Sequence, residues 1–175
     1  MNVVFTIGYE GTDVDRFVAT LKAAGVNTVA DVRAVAMSRK KGFSKNALRD
    51  RLDEEGIAYV HFIELGDPKI GRDAARLGKI NEFRRVYSTH LESQDAVDAL
   101  ETLDKTAQKT SVCLLCFERD PANCHRTMIA DRLKLRGFRV FDLFGDDPGR
   151  YVRYASKLPR SYRDQGDAKS QPEVR

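Results

Sequence analysis

The sequence predicts a single α/β domain, a three-layer Rossmann-like fold in which about five mainly parallel strands are flanked by helices. Short apolar runs rich in β-branched residues alternate along the chain with longer segments of helical periodicity. This alternation is typical of a parallel sheet. The chain has 175 residues, of which 42% are hydrophobic and 32% are charged, so it is long enough to bury one substantial core.

Five apolar runs predict the strands. Most of the runs are bounded by glycine, asparagine or aspartate, which favour turns. The predicted strands span residues 3–7, 28–32, 57–63, 111–117 and 138–144. Cys113 lies inside the fourth run and is expected to be a core residue.

The segments between these strands carry apolar residues three and four positions apart, a spacing that predicts helices. The predicted helices span residues 17–24, 45–55, 80–91, 95–106 and 124–136. Candidate N-cap residues precede three of them, namely Thr12 or Asp13, Ser44, and Asn123. Residues 69–78 lack the helical spacing and are predicted to form a loop.

Apolar periodicity ends well before the C-terminus. Residues 1–145 are therefore expected to form the α/β domain that carries the candidate site, and residues 146–175 a polar, partly disordered C-terminal extension. No apolar run approaches the length that spans a bilayer, and the first residues lack a basic leader. We therefore expect a cytoplasmic protein without membrane contact. Three cysteines in such a reducing compartment favour free thiols over disulfides.

Positive charge is concentrated in one segment. The net charge is +4, but residues 33–51 carry seven basic residues against one acidic residue. This segment is either a solvated surface or a surface that attracts the phosphates of a nucleic acid. The candidate nucleic-acid contacts are Arg39, Lys40, Lys41, Lys45 and Arg49.

Unusual polar residues follow each of the first four predicted strands. Ligands of an open parallel sheet bind beyond the carboxyl ends of its strands. The residues at those ends are Gly8, Tyr9, Glu10, Asp31, Arg33, His61, Glu64, Gly66, Cys116 and Glu118. Their shared position predicts a single site at this edge of the sheet.

The run from Cys116 to Arg126 is the most informative part of the chain. It begins where a buried strand is predicted to end and finishes where a helix is predicted to begin. A helix N-terminus stabilises thiolates and bound anions. We therefore predict Cys124, His125 and Glu118 as catalytic residues with nucleophilic or acid–base roles.

Arg33 and Arg126 are predicted to hold an anion, because a guanidinium binds phosphate or carboxylate through two hydrogen bonds. Gly8 and Tyr9 are expected to complete this anion site. Supporting roles are predicted for Glu10, Asp31, Glu64 and Cys116. The alternative is that the arginines pair with carboxylates of the protein itself, those of Asp31 or Glu118. If Arg126 holds a ligand, replacing it with alanine is expected to leave stability almost unchanged.

A metal site is the alternative use of the same side chains. Cys116, Cys124 and His125 are of metal-ligand types, but structural zinc sites mostly use two closely spaced pairs. Adjacent residues on a helix point about 100° apart, which separates Cys124 from His125. No cofactor is therefore predicted, and a metal ion at these three residues is the alternative.

Short motifs at these strand ends occur in a characteristic order. They are Thr6-Ile7-Gly8-Tyr9-Glu10-Gly11, Asp31-Val32-Arg33 with Ser38-Arg39 downstream, Glu64-Leu65-Gly66, and Cys116 with Cys124-His125-Arg126. Over residues 3–145 the chain thereby resembles a bacterial and archaeal family, the domain of unknown function 488. Members of that family carry a proline shortly after Asp-Val-Arg, where this chain has Ala36. The resemblance implies an α/β fold and a site at these motifs, and it implies no particular reaction.

The candidate site favours one function and leaves two alternatives. We predict an enzyme, a hydrolase or a transferase, that acts on a phosphorylated small molecule, a nucleotide or a nucleic acid at the Cys/His/Arg site. The first alternative is a non-catalytic nucleic-acid or nucleotide binding protein. The second is a metal- or redox-responsive protein that uses Cys116 and Cys124. The expected partner is an anionic ligand, of which nucleic acid is one form.

Overall fold

A computed structural model describes residues 2–159 of the chain, and its centre is a five-stranded sheet in which every strand pair is parallel. The strands are β1 (Val3–Gly8), β2 (Thr28–Asp31), β3 (Ala58–His61), β4 (Val112–Cys116) and β5 (Arg139–Phe144). Their order across the sheet is β3-β2-β4-β1-β5. The predicted α/β fold with five parallel strands is therefore confirmed.

Helices connect the strands and cover both faces of the sheet. Over residues 2–159 they are α1 (Val14–Ala23), α2 (Lys45–Asp53), α3 (Lys69–Arg76), α4 (Ile80–His90), α5 (Gln94–Lys109), α6 (His125–Leu135) and α7 (Gly149–Arg153). Short 3₁₀ turns occur at Ile63–Leu65, Pro121–Asn123 and Ala155–Lys157. In this part of the chain, no helix has the length and apolar character needed to cross a bilayer.

Helix α3 shows that the predicted loop at residues 69–78 is wrong. The helix packs on α4, and its buried residues are Gly71 and Ala74. These small residues let the two helices approach closely. Because neither of them is a large apolar residue, the sequence shows no helical apolar pattern here. Periodicity therefore gave no sign of this helix.

The two faces of the sheet carry separate cores. On one face, α1, α2 and α7 bury residues that include Phe17, Leu48 and Tyr151. On the other face, α4, α5 and α6 bury residues that include Tyr87 and Leu103. The chain thus leaves β1 and β2 towards one face and β4, which lies between them, towards the other. Such a reversal opens a crevice at the carboxyl end of the sheet.

Side-chain alternation along β4 decides which thiol reaches which face. Cys113 and Leu115 lie in the core on the α1 side, whereas Leu114 lies in the core on the α6 side. Cys116 follows Leu114 by two residues, so its thiol lies on the α6 side. Cys113 is fully buried, as expected of a core residue, and burial raises its pKa.

The first part of the predicted C-terminal extension packs against the domain. Helix α7 follows β5 closely, and Tyr151 is buried in the core on the α1 side. The Tyr151 hydroxyl accepts a hydrogen bond from the N–H of Phe144 at 2.7 Å. Residues 160–175, the rest of that extension, lie outside the described residues.

Candidate functional site

The end of β4 and the start of α6 bring Cys116, Cys124 and His125 together. All three side chains are buried, and their ligand atoms lie within 4.8 Å of one another. The cluster lies at the carboxyl edge of the sheet, where the sequence predicts the site.

Cys124 is the N-cap residue of α6, so the prediction that Asn123 caps this helix is wrong. Asn123 is the last residue of the 3₁₀ turn at Pro121–Asn123, and α6 begins after that turn. Cys124 is extended, with φ −130° and ψ 143°, and its Sγ accepts the Arg126 N–H at 3.5 Å. Because Cys124 is not helical, the 100° separation expected between neighbours on a helix does not apply. Its sulfur and the His125 ring therefore converge.

Hydrogen bonding fixes the orientation of the His125 ring. Its Nε2 lies 2.7 Å from the Val32 carbonyl oxygen, so Nε2 carries a proton and donates it. Its Nδ1 faces the thiols, 3.6 Å from Cys116 Sγ and 3.9 Å from Cys124 Sγ. The Tyr87 ring packs edge-on against the imidazole, with 5.1 Å between centroids. One ring nitrogen is thus aimed at both sulfurs.

Cys124 and His125 are electrostatically coupled. Burial opposes a thiolate at Cys124, but the interaction with the neighbouring Cys116 thiol and the charges of His125 and Arg126 outweigh it, so the pKa of Cys124 lies well below its usual value. Burial also opposes an imidazolium, but the Cys124 thiolate and Asp67 raise the pKa of His125 to about 9. At neutral pH these directions favour a thiolate beside an imidazolium, a state that activates a nucleophilic cysteine.

Glu118 lies against the other thiol. Cys116 Sγ donates a hydrogen bond to Glu118 Oε2 at 3.1 Å. Burial, followed by the negative charge of Cys124, raises the pKa of Glu118 to about 7. Burial and the hydrogen bond with Cys124 raise the pKa of Cys116, which therefore stays a thiol. A carboxyl group with such a pKa both donates and accepts a proton near neutral pH.

An open groove with a volume of about 800 Å³ runs along this cluster. Cys116, Glu118 and His125 line it together with residues of the loop after β2 and of α3. The basic side chains that α3 contributes are Lys69, Arg72 and Arg76. Apolar side chains that line the groove and are exposed are Val35, Met37, Ile80 and Phe117. Cys124 lines a smaller cavity of about 260 Å³, which shares Ile80 and Asn123 with the groove.

Sequence reasoning missed the basic residues of α3 and also missed Asp67. Asp67 lines the groove, and its Oδ1 lies 4.0 Å from His125 Nδ1. The available signal was its place directly after Gly66, just beyond the third predicted strand. The cations of α3 gave no such signal, because their segment was predicted to be a loop.

Arg33 is held by acceptors of the protein itself. It donates to the Asp31 carboxylate through Nε at 2.8 Å and Nη2 at 2.6 Å, and to the Phe43 carbonyl through Nη1 at 2.8 Å. The buried Asp31 also accepts the Tyr59 hydroxyl at 2.5 Å. Burial and this hydrogen bond raise the pKa of Tyr59. Arg33 lines the groove, but its contacts favour the structural pairing over the anion clamp.

Arg126 lies beneath the site and does not line the groove. It is 0% exposed, and its guanidinium donates to Thr6 Oγ1 at 3.2 Å, the Glu118 carbonyl at 2.5 Å and the Arg119 carbonyl at 3.2 Å. This geometry differs from the predicted anion clamp and also from a pair with the Asp31 or Glu118 carboxylate. The Arg126 guanidinium instead fixes the turn after β4 by donating to the backbone carbonyls of that turn.

The other predicted residues divide between the groove and its supports. Tyr9 lines the groove and stacks on Phe43, with 4.4 Å between ring centroids. The Glu10 carboxylate accepts the N–H of Arg119 at 2.9 Å and thereby supports the turn after β4. Glu64 is exposed and is not among the residues that line the groove.

The basic segment lies partly beside the groove. Lys40 Nζ donates to the carbonyl of Tyr9 at 3.2 Å. The other candidates for nucleic-acid contact are exposed, namely Arg39, Lys41, Lys45 and Arg49. The five residues are not among those that line the groove, so their contact with nucleic acid stays a prediction.

Two glycines allow separate stretches of backbone to meet at the site. A Cβ at Gly8 would lie 1.8 Å from the Glu118 carbonyl oxygen, and a Cβ at Gly66 would lie 2.3 Å from Ala34 Cα. Both neighbours are backbone atoms that cannot swing aside as a side chain does. Close approach, rather than an unusual backbone angle, therefore requires glycine at both positions.

We expect Gly8→Ala to lower the free energy of unfolding by roughly 1–3 kcal/mol, the usual cost of overpacking. The methyl group must push β1 away from the turn that carries Glu118. Urea unfolding is the measurement, with Gly71→Ala as the control because a Cβ there meets Val86 at an ordinary 3.5 Å. Equal stability of the two variants would contradict the close approach.

Fold and site together define a class of protein: an α/β domain with an all-parallel sheet and a buried Cys-Cys-His cluster at its carboxyl edge. The family model described as "Domain of unknown function DUF488" matches residues 13–133. The match covers more than half of the chain, so the chain belongs to this family and the resemblance is confirmed. Comparison with curated proteins finds no match, and neither does comparison with solved structures.

Proposed function

We propose that this protein is an enzyme that acts on a phosphorylated small molecule, a nucleotide or a nucleic acid in the groove. The observation that carries the proposal is that one groove is lined both by Cys116, Glu118 and His125 and by the cations of α3. Binding alone does not require thiols and a carboxyl group around a buried imidazole, whereas catalysis uses such clusters. The proposed reaction is a hydrolysis or a group transfer.

The cations of α3 support an anionic substrate. Lys69 and Arg76 are largely exposed and share the single carboxylate of Asp73, at 3.1 Å and 3.5 Å. Arg72 is less exposed, and it donates to the Asp67 carbonyl at the mouth of the cluster. Phosphate oxygens are the acceptors that such a row of cations attracts. The exposed apolar side chains beside the row fit the uncharged part of a substrate.

The chemical roles are assigned to Cys124, His125 and Glu118. Glu118 borders the groove and also accepts the Cys116 thiol, so it is placed to exchange a proton with a bound substrate. His125 faces the groove and both thiols. Cys124 adjoins them from the N-terminus of α6, where the helix stabilises negative charge.

The test begins with binding. The probes are ATP and a short single-stranded oligonucleotide with a 5′-phosphate. We expect Lys69→Gln/Arg76→Gln to weaken binding about 10-fold and to reduce the slope of log affinity against log salt by about 1 to 2. The matched control is Lys105→Gln/Lys134→Gln, which removes the same charge from ion pairs on α5 and α6. Equal weakening in both variants would show that net charge alone, rather than the groove, binds the probe.

The same probes test for chemistry, with products separated by mass spectrometry. We expect Glu118→Gln to lower turnover by about 100-fold and to leave binding almost unchanged, as when a proton-transfer group is lost. The exposed Glu92 supplies the control variant, Glu92→Gln. Tight binding without any product from the wild-type protein would support the non-catalytic alternative instead.

A further inference from the structure

The cluster of Cys116, Cys124 and His125 has a geometry that catalysis by a thiol does not explain. A nucleophilic cysteine needs one base, but here a single ring nitrogen faces two sulfurs, at 3.6 Å and 3.9 Å. A second buried sulfur at this distance from the same ring nitrogen is an arrangement that metal sites built from cysteine and histidine share.

We infer that Cys116, Cys124 and His125 bind a Zn²⁺ ion through the two Sγ atoms and Nδ1. Zinc binds sulfur at about 2.3 Å and nitrogen at about 2.0–2.1 Å, so a tetrahedral ion holds sulfur and nitrogen about 3.6 Å apart. The distance from Nδ1 to Cys116 Sγ, 3.6 Å, equals that edge, and the distance to Cys124 Sγ, 3.9 Å, is slightly longer. All three ligand atoms also lie within 4.8 Å of one another, close enough to surround one ion.

The surroundings of the three residues suit metal ligation. The Nε2–H of His125 is bound to the Val32 carbonyl at 2.7 Å, which is how metal-binding histidines are usually held. The sulfur of Cys124 accepts the Arg126 N–H at the start of α6, so the negative charge of a ligating thiolate is stabilised there. Neither arrangement needs to change when an ion binds.

Charge balance and ligand type both favour zinc. Binding of Zn²⁺ displaces the protons of the Cys116 thiol and of His125 Nδ1. The resulting two thiolates and neutral imidazole cancel the charge of the ion, which lowers the cost of burying the site. Sulfur and imidazole ligands in a tetrahedral arrangement select zinc over magnesium or calcium, which take oxygen ligands.

We expect the fourth ligand position to face the groove, because two of the three ligand residues line it. Cys116 and His125 line the groove, and the carboxylates of Glu118 and Asp67 border the cluster there, 3.1 Å from Cys116 Sγ and 4.0 Å from His125 Nδ1. Three protein ligands with one open position are the pattern of catalytic rather than structural zinc. This role of the ion rests on the proposed function, and in it Cys124 and His125 serve as ligands while Glu118 exchanges the proton with the substrate. The binding of the ion does not rest on the proposed function.

The experiment measures metal in the full-length protein after expression with zinc. We expect about one zinc per chain in the wild type, at least a tenfold loss in Cys124→Ser and in Cys116→Ser, and full retention in Cys113→Ala. Cys113→Ala is the matched control because it removes a buried thiol from the opposite face of β4. Cys124→Ser keeps a residue that caps helices well, so this variant is expected to fold.

Cobalt gives a second readout that does not depend on activity. Refolding the wild type with Co²⁺ is expected to give the thiolate charge-transfer and ligand-field bands of a tetrahedral ion, which Cys124→Ser lacks. A folded wild type that takes up neither metal would overturn the inference, as would equal metal loss in Cys113→Ala. Metal uptake without binding of ATP or the phosphorylated oligonucleotide would contradict the proposed function and support the zinc site. Binding of ATP or the oligonucleotide without metal uptake would overturn the zinc site and leave the proposed function unaffected.

Discussion

Replacing Arg126 with alanine is expected to lower the free energy of unfolding by about 3–5 kcal/mol, which is one of the largest effects expected of any single substitution in this chain. Arg126 is among the largest fully buried side chains of the described residues. Its removal leaves a cavity and takes the donors away from the Thr6 hydroxyl and the carbonyls of Glu118 and Arg119. Each buried acceptor left without a donor costs about 1–3 kcal/mol.

Two control variants separate volume from hydrogen bonding. Arg126→Met keeps much of the volume and removes the donors, so we expect it to lose about half as much stability as Arg126→Ala. Arg136→Ala removes an arginine from the end of α6 that pairs with Asp104 at the surface, and it is expected to cost less than about 1 kcal/mol. Thermal melts suffice as the measurement, because a loss of this size shifts the midpoint by roughly 10 °C in a chain of this length. If the thermal melt of Arg126→Ala coincides with that of the wild type, the structural role of Arg126 is contradicted and the anion clamp predicted from the sequence is favoured.

The anion clamp predicted at Arg126 depends on the direction of its side chain, which the sequence does not determine. The sequence correctly places Arg126 in the first turn of a helix that begins near the carboxyl edge of the sheet. It does not show on which side of the turn the guanidinium lies, because the N-cap was predicted at Asn123 rather than Cys124. A shift of one residue at a helix start turns every following side chain by about 100°, and the direction of Arg126 depends on that shift.

The fold was more predictable than the site because its signals are repeated. The five apolar runs and the helical spacing between them all indicate a parallel sheet. An error of one or two residues at the end of an element therefore leaves the predicted fold unchanged. Helix α3 is an exception, since its buried Gly71 and Ala74 carry no apolar signal, and α7, within the predicted polar extension, is another. The basic side of the groove therefore lies on an element that periodicity misses.

The meeting of the two thiols with His125 depended on contacts that are distant in sequence. The Val32 carbonyl orients the imidazole across 93 positions of the chain, and no local pattern reports such a bond. The alternation of β4 does predict that Cys113 and Cys116 face opposite sides. Sequence reasoning could thus bring the right residue types to one edge, but it could not determine their distances.

The buried pair of Asp31 and Arg33 leads to the second large effect. Asp31 is 0% exposed and Arg33 is 5% exposed, and Asp31 accepts two hydrogen bonds from the guanidinium. Asp31→Ala leaves the Arg33 charge buried without its counter-charge, so we expect it to lower the free energy of unfolding by about 3–5 kcal/mol. Asp50→Ala removes an exposed carboxylate paired with Arg49 and is the control, with an expected cost below about 1 kcal/mol.

The double variant Asp31→Ala/Arg33→Met is expected to recover most of that loss, because an apolar side chain replaces the unpaired buried charge. Urea unfolding of the single and double variants gives the coupling between the two residues. Binding of the phosphorylated oligonucleotide to Arg33→Met then tests the alternative role. If Arg33 is structural, the folded fraction of Arg33→Met binds as tightly as the wild type, because its guanidinium donors already serve Asp31 and Phe43. If folded Arg33→Met binds at least tenfold more weakly while Asp31→Ala keeps its stability, the pair is not a structural unit and Arg33 belongs to the anion site.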